Sequence, residues 1–126
     1  MRAFKTILFD KWAKKQHVED EILVDGLEAI AAGNYDADLG GGLFKQRVAL
    51  PGGGKRGGAR VILALKIGDK AFFLYGFKKG DQGNLTAREK KAYKIIAKTV
   101  LAYSEFELSE RLANGSLIEI GLTERR

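Results

Sequence analysis

The chain has 126 residues, 45% hydrophobic and 30% charged, with a formal net charge of +6. That length supports one hydrophobic core but not two, so a single domain over residues 1–126 is expected. Cysteine is absent and His17 is the only histidine, which excludes disulfides, thiolate metal sites and a multi-histidine zinc centre.

In chain order, "AFKTILFDKW" opens with a β-type run from Phe4 to Phe9. Asp10 fits the N-cap of a short helix carrying Trp12. The apolar run behind Arg2 and Lys5 is too short for the core of a signal peptide and is cut off by Asp10 and Lys11. In "VEDEILVDGLEAIAAGN", Ile22, Leu23, Leu27 and Ile30 fall near 3.6-residue spacing with acidic residues mostly opposite. This predicts an amphipathic helix that stops at Gly33-Asn34. "YDADLGGG" reads as a loop.

Three strand-like runs follow, Leu43–Leu50, Ala59–Ile67 and Lys70–Phe77. Gly68-Asp69 joins the last two as a hairpin signal, and a glycine-rich stretch joins the first two, which together predict an antiparallel meander. Val61, Leu63 and Leu65 form an uninterrupted apolar row that should lie against helices. The third run is apolar on both faces and should be central or doubly covered. "NLTAREKKAYKIIAKTVLAY" is the clearest helix, with a Thr86–Glu89 capping box. A shorter acidic helix capped by Ser104 follows, then a last edge strand in "SLIEI" and a frayed tail from about residue 121. The fold class is therefore α+β: an antiparallel sheet with N-terminal helices and a C-terminal helix packed on it, mainly on one face. No run approaches the roughly 20 apolar residues that span a bilayer. A cytoplasmic protein without a membrane role is the natural expectation.

The excess charge sits in one segment. Leu43 to Lys79 carries nine basic residues against the single Asp69. Such a concentration is the electrostatic footprint of a polyanion-binding surface, or else a solvated sheet edge kept soluble by lysines. Inside it lies "LPGGGKRGGARVIL", Leu50–Leu63, which holds the only proline and five glycines around Lys55, Arg56 and Arg60. It is not a P-loop, because Arg56 follows Gly54-Lys55 where Ser or Thr is needed. It is not a dinucleotide fingerprint either, because it leads into a strand. What remains is a hairpin tip whose glycines let backbone amides and cations approach a phosphate. No Ser-His-Asp set can be placed, and His17 reads as a surface residue. Phosphoryl chemistry does not need histidine, however. Clustered Lys and Arg stabilise charge at phosphorus, and a lysine with a lowered pKa could remove a proton, without metal or cofactor.

Gly40 to Lys98 resembles the HigB-type branch of the RelE/ParE toxin superfamily. The likeness lies in "GGLFKQR", "GGGKRGGAR", the hairpin that follows, "FFLYGFKK" and "LTAREK". The resemblance implies the toxin of a bacterial type II toxin–antitoxin pair that enters the ribosomal A site and cuts mRNA without metal. Carried over by position, it implies Arg47 and Arg60 for phosphate stabilisation, with Lys78 and Tyr75 at the catalytic site. Lys45, Lys55, Arg56 and Lys79 would contact RNA. The implied partners are the ribosome, mRNA and an antitoxin from the adjacent gene, typically a helix-turn-helix protein. One branch poisons gyrase instead, and a binding scaffold without activity is also compatible.

Overall fold

The structure is a computed structural model that describes residues 1–52 and 54–121; the side chains of residues 54–57 and the tail expected beyond Gly121 lie outside the described residues. Along the chain run β1 (Arg2–Thr6), α1 (Ile7–Lys15), α2 (Asp20–Ala31), β2 (Ala37–Gly40), β3 (Leu43–Leu50), β4 (Gly54–Lys66), β5 (Lys70–Lys78), α3 (Ala87–Leu101), α4 (Glu105–Ala113) and β6 (Leu117–Ile120). The strands form one sheet of order β2-β3-β4-β5-β1-β6. The β3-β4-β5 meander is its centre, and every pairing is antiparallel except β1 with β5.

Both faces of the sheet are covered, not mainly one. The Val61, Leu63 and Leu65 row does pack against helices, with Phe9 and Ala13 of α1 and Leu23, Leu27 and Ile30 of α2. On the opposite face Leu43, Ile62, Ala64, Phe72 and Leu74 pack under Ala97 and Val100 of α3 and Leu108 of α4. The reason is the doubly apolar β5. A strand with large side chains on both sides exposes one set unless two layers of helix cover it.

Local chemistry moved several boundaries. Thr6, not Asp10, caps α1, its hydroxyl accepting from the Phe9 N–H, and the β run ends there. "YDADLGGG" is not all loop, because Ala37–Gly40 pairs with β3 as an edge strand. The glycine stretch is shorter as a loop than expected. β4 starts at Gly54, which faces Leu50 across a bulge. The capping boxes at Thr86 with Glu89 and Ser104 with Glu107 are both formed, and "SLIEI" supplies the edge strand β6. No helix among the described residues is long and apolar enough to cross a membrane.

A bulge in β5 sets what each face presents. Ile62 pairs with Tyr75 but Leu63 with Phe73, which leaves Leu74 as the extra residue. Phe73 therefore faces α1, whereas Tyr75 and Phe77 turn to the α3 side. Gly76 then lies directly under the Trp12 ring of α1, where a Cβ would overlap the ring carbons. Gly76→Ala should accordingly destabilise the protein by about 1–3 kcal/mol through overpacking. Chemical denaturation would register this as a lower midpoint with an unchanged slope, and an unaltered midpoint would mean that the indole repacks freely.

Candidate functional site

On the α3 side of the sheet, β3 and β4 place Arg47 directly opposite Arg60, and β5 places Phe77 beside Arg60. The adjoining row runs Lys45, Ile62, Tyr75 across the same three strands. Two arginines facing each other across a strand pair repel. Here the repulsion is balanced by Asp36, in the segment between α2 and β2. Its carboxylate lies 3.4 Å from Lys45 Nζ, 3.6 Å from Arg47 Nε and 3.4 Å from Arg60 Nε. The Arg60 side chain is only 7% exposed, whereas that of Arg47 is 58% exposed. One cation is thus held rigidly in the sheet and another reaches into solvent.

The segment carrying Asp36 is pinned from below. The buried Gln46 of β3 donates from Nε2 to the carbonyl oxygens of Gly26 and Asn34, and its Oε1 accepts from the Arg47 N–H. Tyr35 meets Phe44 edge to face at 5.5 Å. A cleft of about 890 Å³ between α2 and β3 has Asp36 and Arg47 in its lining, but not Lys45, Arg60 or Tyr75. It adjoins the cationic group rather than containing it.

The other flank is aromatic and amide-rich. The Tyr75 hydroxyl donates to Gln82 Oε1 at 2.8 Å, and its ring stacks on Tyr93 of α3 at 5.3 Å. Gln82 Nε2 donates to Glu89 Oε1 and to the Asn84 carbonyl oxygen, both at 2.9 Å. Lys45 Nζ donates to Asn84 Oδ1 at 3.1 Å. The connection from β5 to α3 is thereby stitched to both Tyr75 and Lys45. Burial, and secondarily the Glu89 charge, push the Tyr75 hydroxyl above its ordinary pKa, so at neutral pH it is a phenol and a proton donor.

Fold, surface and sequence agree on the class. Residues 1–120 match the family described as the RelE toxin of the RelE / RelB toxin-antitoxin system. The chain belongs to the RelE toxin family. No curated protein matches it individually. As a RelE-family toxin it has an antitoxin as its cognate partner.

In this RelE-family chain, Lys45, Arg47, Arg60 and Tyr75 share one face of the sheet. Lys78 does not share it. It pairs with Ala59, whose side chain belongs to the α1–α2 core, so Lys78 points to the opposite side. The odd spacing from Tyr75 already carries this separation. Lys79 is exposed just past β5, its N–H bonded to the Gly58 carbonyl oxygen at 3.3 Å. The side chains of Lys55 and Arg56 lie outside the described residues. Asp36, Gln82 and Asn84 are the members that sequence reasoning missed. Each is a short polar residue in a segment without periodicity, and only the register brings them together.

Proposed function

We propose that this toxin, of the HigB-type branch, is a metal-independent, ribosome-dependent endoribonuclease that cuts mRNA and halts translation. The observation that carries the proposal is the convergence of Lys45, Arg47 and Arg60 within 3.4–3.6 Å of one carboxylate, on the face that also presents Tyr75. The reaction is attack of a ribose 2′-oxygen on the adjacent phosphorus. The 2′-O–P bond forms, the P–O5′ bond breaks, and the 2′-proton leaves to a base while the 5′-oxygen gains one. The products are a 2′,3′-cyclic phosphate and a 5′-hydroxyl. Arg60 and Arg47 stabilise the extra negative charge on the non-bridging oxygens, and Lys45 grips the neighbouring backbone. Tyr75 holds its proton at neutral pH, so it enters as a donor to the reacting phosphate or to the departing oxygen, not as the base. Lys79 adds to the grip on RNA, and the resemblance assigns the same task to Lys55 and Arg56. Lys78, on the opposite face, has no role in the step.

The test is incubation of the purified toxin with ribosomes carrying a defined mRNA. The expected result is cut mRNA with 2′,3′-cyclic phosphate and 5′-hydroxyl ends. Co-expression with the product of the adjacent gene, expected to be a helix-turn-helix antitoxin, should restore growth. Intact mRNA together with inhibited gyrase supercoiling would move the reading to a gyrase poison. Intact mRNA with unaffected gyrase would leave a binding scaffold.

A further inference from the structure

We propose that Asp36 is the internal counter-ion of the cationic face, a carboxylate that occupies the place of the RNA phosphate in the empty toxin and sets how tightly RNA binds. The inference rests on the endoribonuclease reading and adds a residue to that site. Three facts carry it. The carboxylate is the shared partner of three cations from two strands, and its side chain is 17% exposed in a segment tied down by Gln46. Next, its contacts are loose. All three lie at 3.4–3.6 Å, beyond the roughly 2.7–2.9 Å of tight charge-assisted hydrogen bonds. Finally, among the described residues the buried Arg60 side chain makes one hydrogen bond, to the Ala59 carbonyl oxygen at 3.4 Å. That bond is long, and the contact of Arg60 Nε with Asp36 is an ion pair at 3.4 Å, so neither is a tight charge-assisted hydrogen bond.

A phosphate oxygen entering this group can make the short hydrogen bonds that Asp36 does not make. It must also displace a like charge to do so. Asp36 therefore keeps the three cations convergent while the site is empty, and it weakens capture of every phosphate that arrives. Removing its charge should raise affinity without creating any new contact.

The experiment uses the full chain and a 2′-O-methylated RNA oligonucleotide, which cannot be cut, titrated by fluorescence anisotropy at several salt concentrations. Asp36→Asn should bind roughly tenfold more tightly, as loss of a nearby like charge implies. The slope of log K against log salt should steepen by about one, because one more cation is free to exchange counterions for phosphate. Asp36→Glu keeps the charge and should leave the slope unchanged. In wild-type protein, the side-chain carboxyl carbon of Asp36 should shift on RNA addition in carbon-detected NMR, a readout that survives even if the variants fold poorly. Binding by Asp36→Asn that is equal or weaker, with an unchanged slope, overturns the role of Asp36 while the endoribonuclease reading stands. An unmoved Asp36 carboxyl signal in RNA-bound wild type overturns it as well. Wild-type protein that neither binds the oligonucleotide nor cuts mRNA on ribosomes overturns both.

Discussion

Arg60→Ala is expected to lower the single-turnover rate of mRNA cleavage on ribosomes by a factor on the order of 100 or more, as removal of a preorganised charge-stabilising donor does. Rigidity sets the size of the effect. Arg60 lies in mid-strand between Arg47 and Phe77, with its side chain 7% exposed. A guanidinium held this way costs little to reorganise when charge develops at phosphorus. Arg47, with its side chain 58% exposed, must be ordered first. Its alanine variant should act more on binding than on the saturated rate. Arg60→Lys keeps the charge but not the planar fork and should fall between wild type and alanine. Thermal unfolding provides the control, since Arg60→Ala also relieves the repulsion from Arg47 and should shift the midpoint little. A saturating rate for Arg60→Ala equal to that of wild type would remove Arg60 from the reacting phosphate.

What the sequence made legible follows from where its signals are local. Period-two alternation gave the Val61, Leu63, Leu65 row and the β3-β4-β5 meander, hydroxyl–carboxylate spacing gave the capping box of α3, and Ser104 was legible as the cap of α4. The basic members of the site were visible as charge, because Lys45, Arg47 and Arg60 belong to the one strongly basic segment of the chain. The rest depends on distance across the chain. The parallel pairing of β1 with β5 joins segments separated by five other elements, and no local pattern encodes it. Asp36 precedes a four-residue edge strand and has meaning only when β3 is laid beside it. Asp10 was misread for a related reason. An acid in front of an apolar turn resembles a cap, and its true partner is fixed by the fold. One signal did point there. Lys5 stands inside an apolar strand, and a cation buried there requires a counter-ion.

That pair yields the second large effect. Lys5→Met is expected to destabilise the protein by about 3–5 kcal/mol, the usual cost of leaving half of a buried ion pair behind. Lys5 Nζ lies 2.9 Å from Asp10 Oδ1 and 2.7 Å from Asp20 Oδ1, with the Lys5 and Asp10 side chains 9% and 4% exposed. The contact joins β1 to the interior of α1 and the start of α2, so it holds the helical layer on the sheet. Lys14 also reaches Asp10, but its side chain is 78% exposed, and a solvated ammonium cannot replace the buried one. The double variant Lys5→Met/Asp10→Leu removes both charges and should recover much of the loss. The pH dependence separates charge from packing. Burial alone would raise the Asp10 pKa, but hydrogen bonds from Lys5 and Lys14 outweigh it and hold the carboxyl below its ordinary value. In wild type its contribution is present above the unfolded pKa and lost as pH falls through the lower folded one. Burial likewise opposes the charge on Lys5, yet hydrogen bonds to Asp20 and Asp10 raise its pKa. That contribution is present below the unfolded lysine value and lost only as pH rises through the higher folded one. Without Lys5, burial gains on the remaining hydrogen bond and drives the Asp10 pKa upward. The variant then recovers stability relative to wild type as acid protonates the orphaned carboxylate. The gap between the two proteins in denaturation experiments should therefore narrow from about pH 7 to about pH 4, and a constant gap would assign the loss to packing instead of charge.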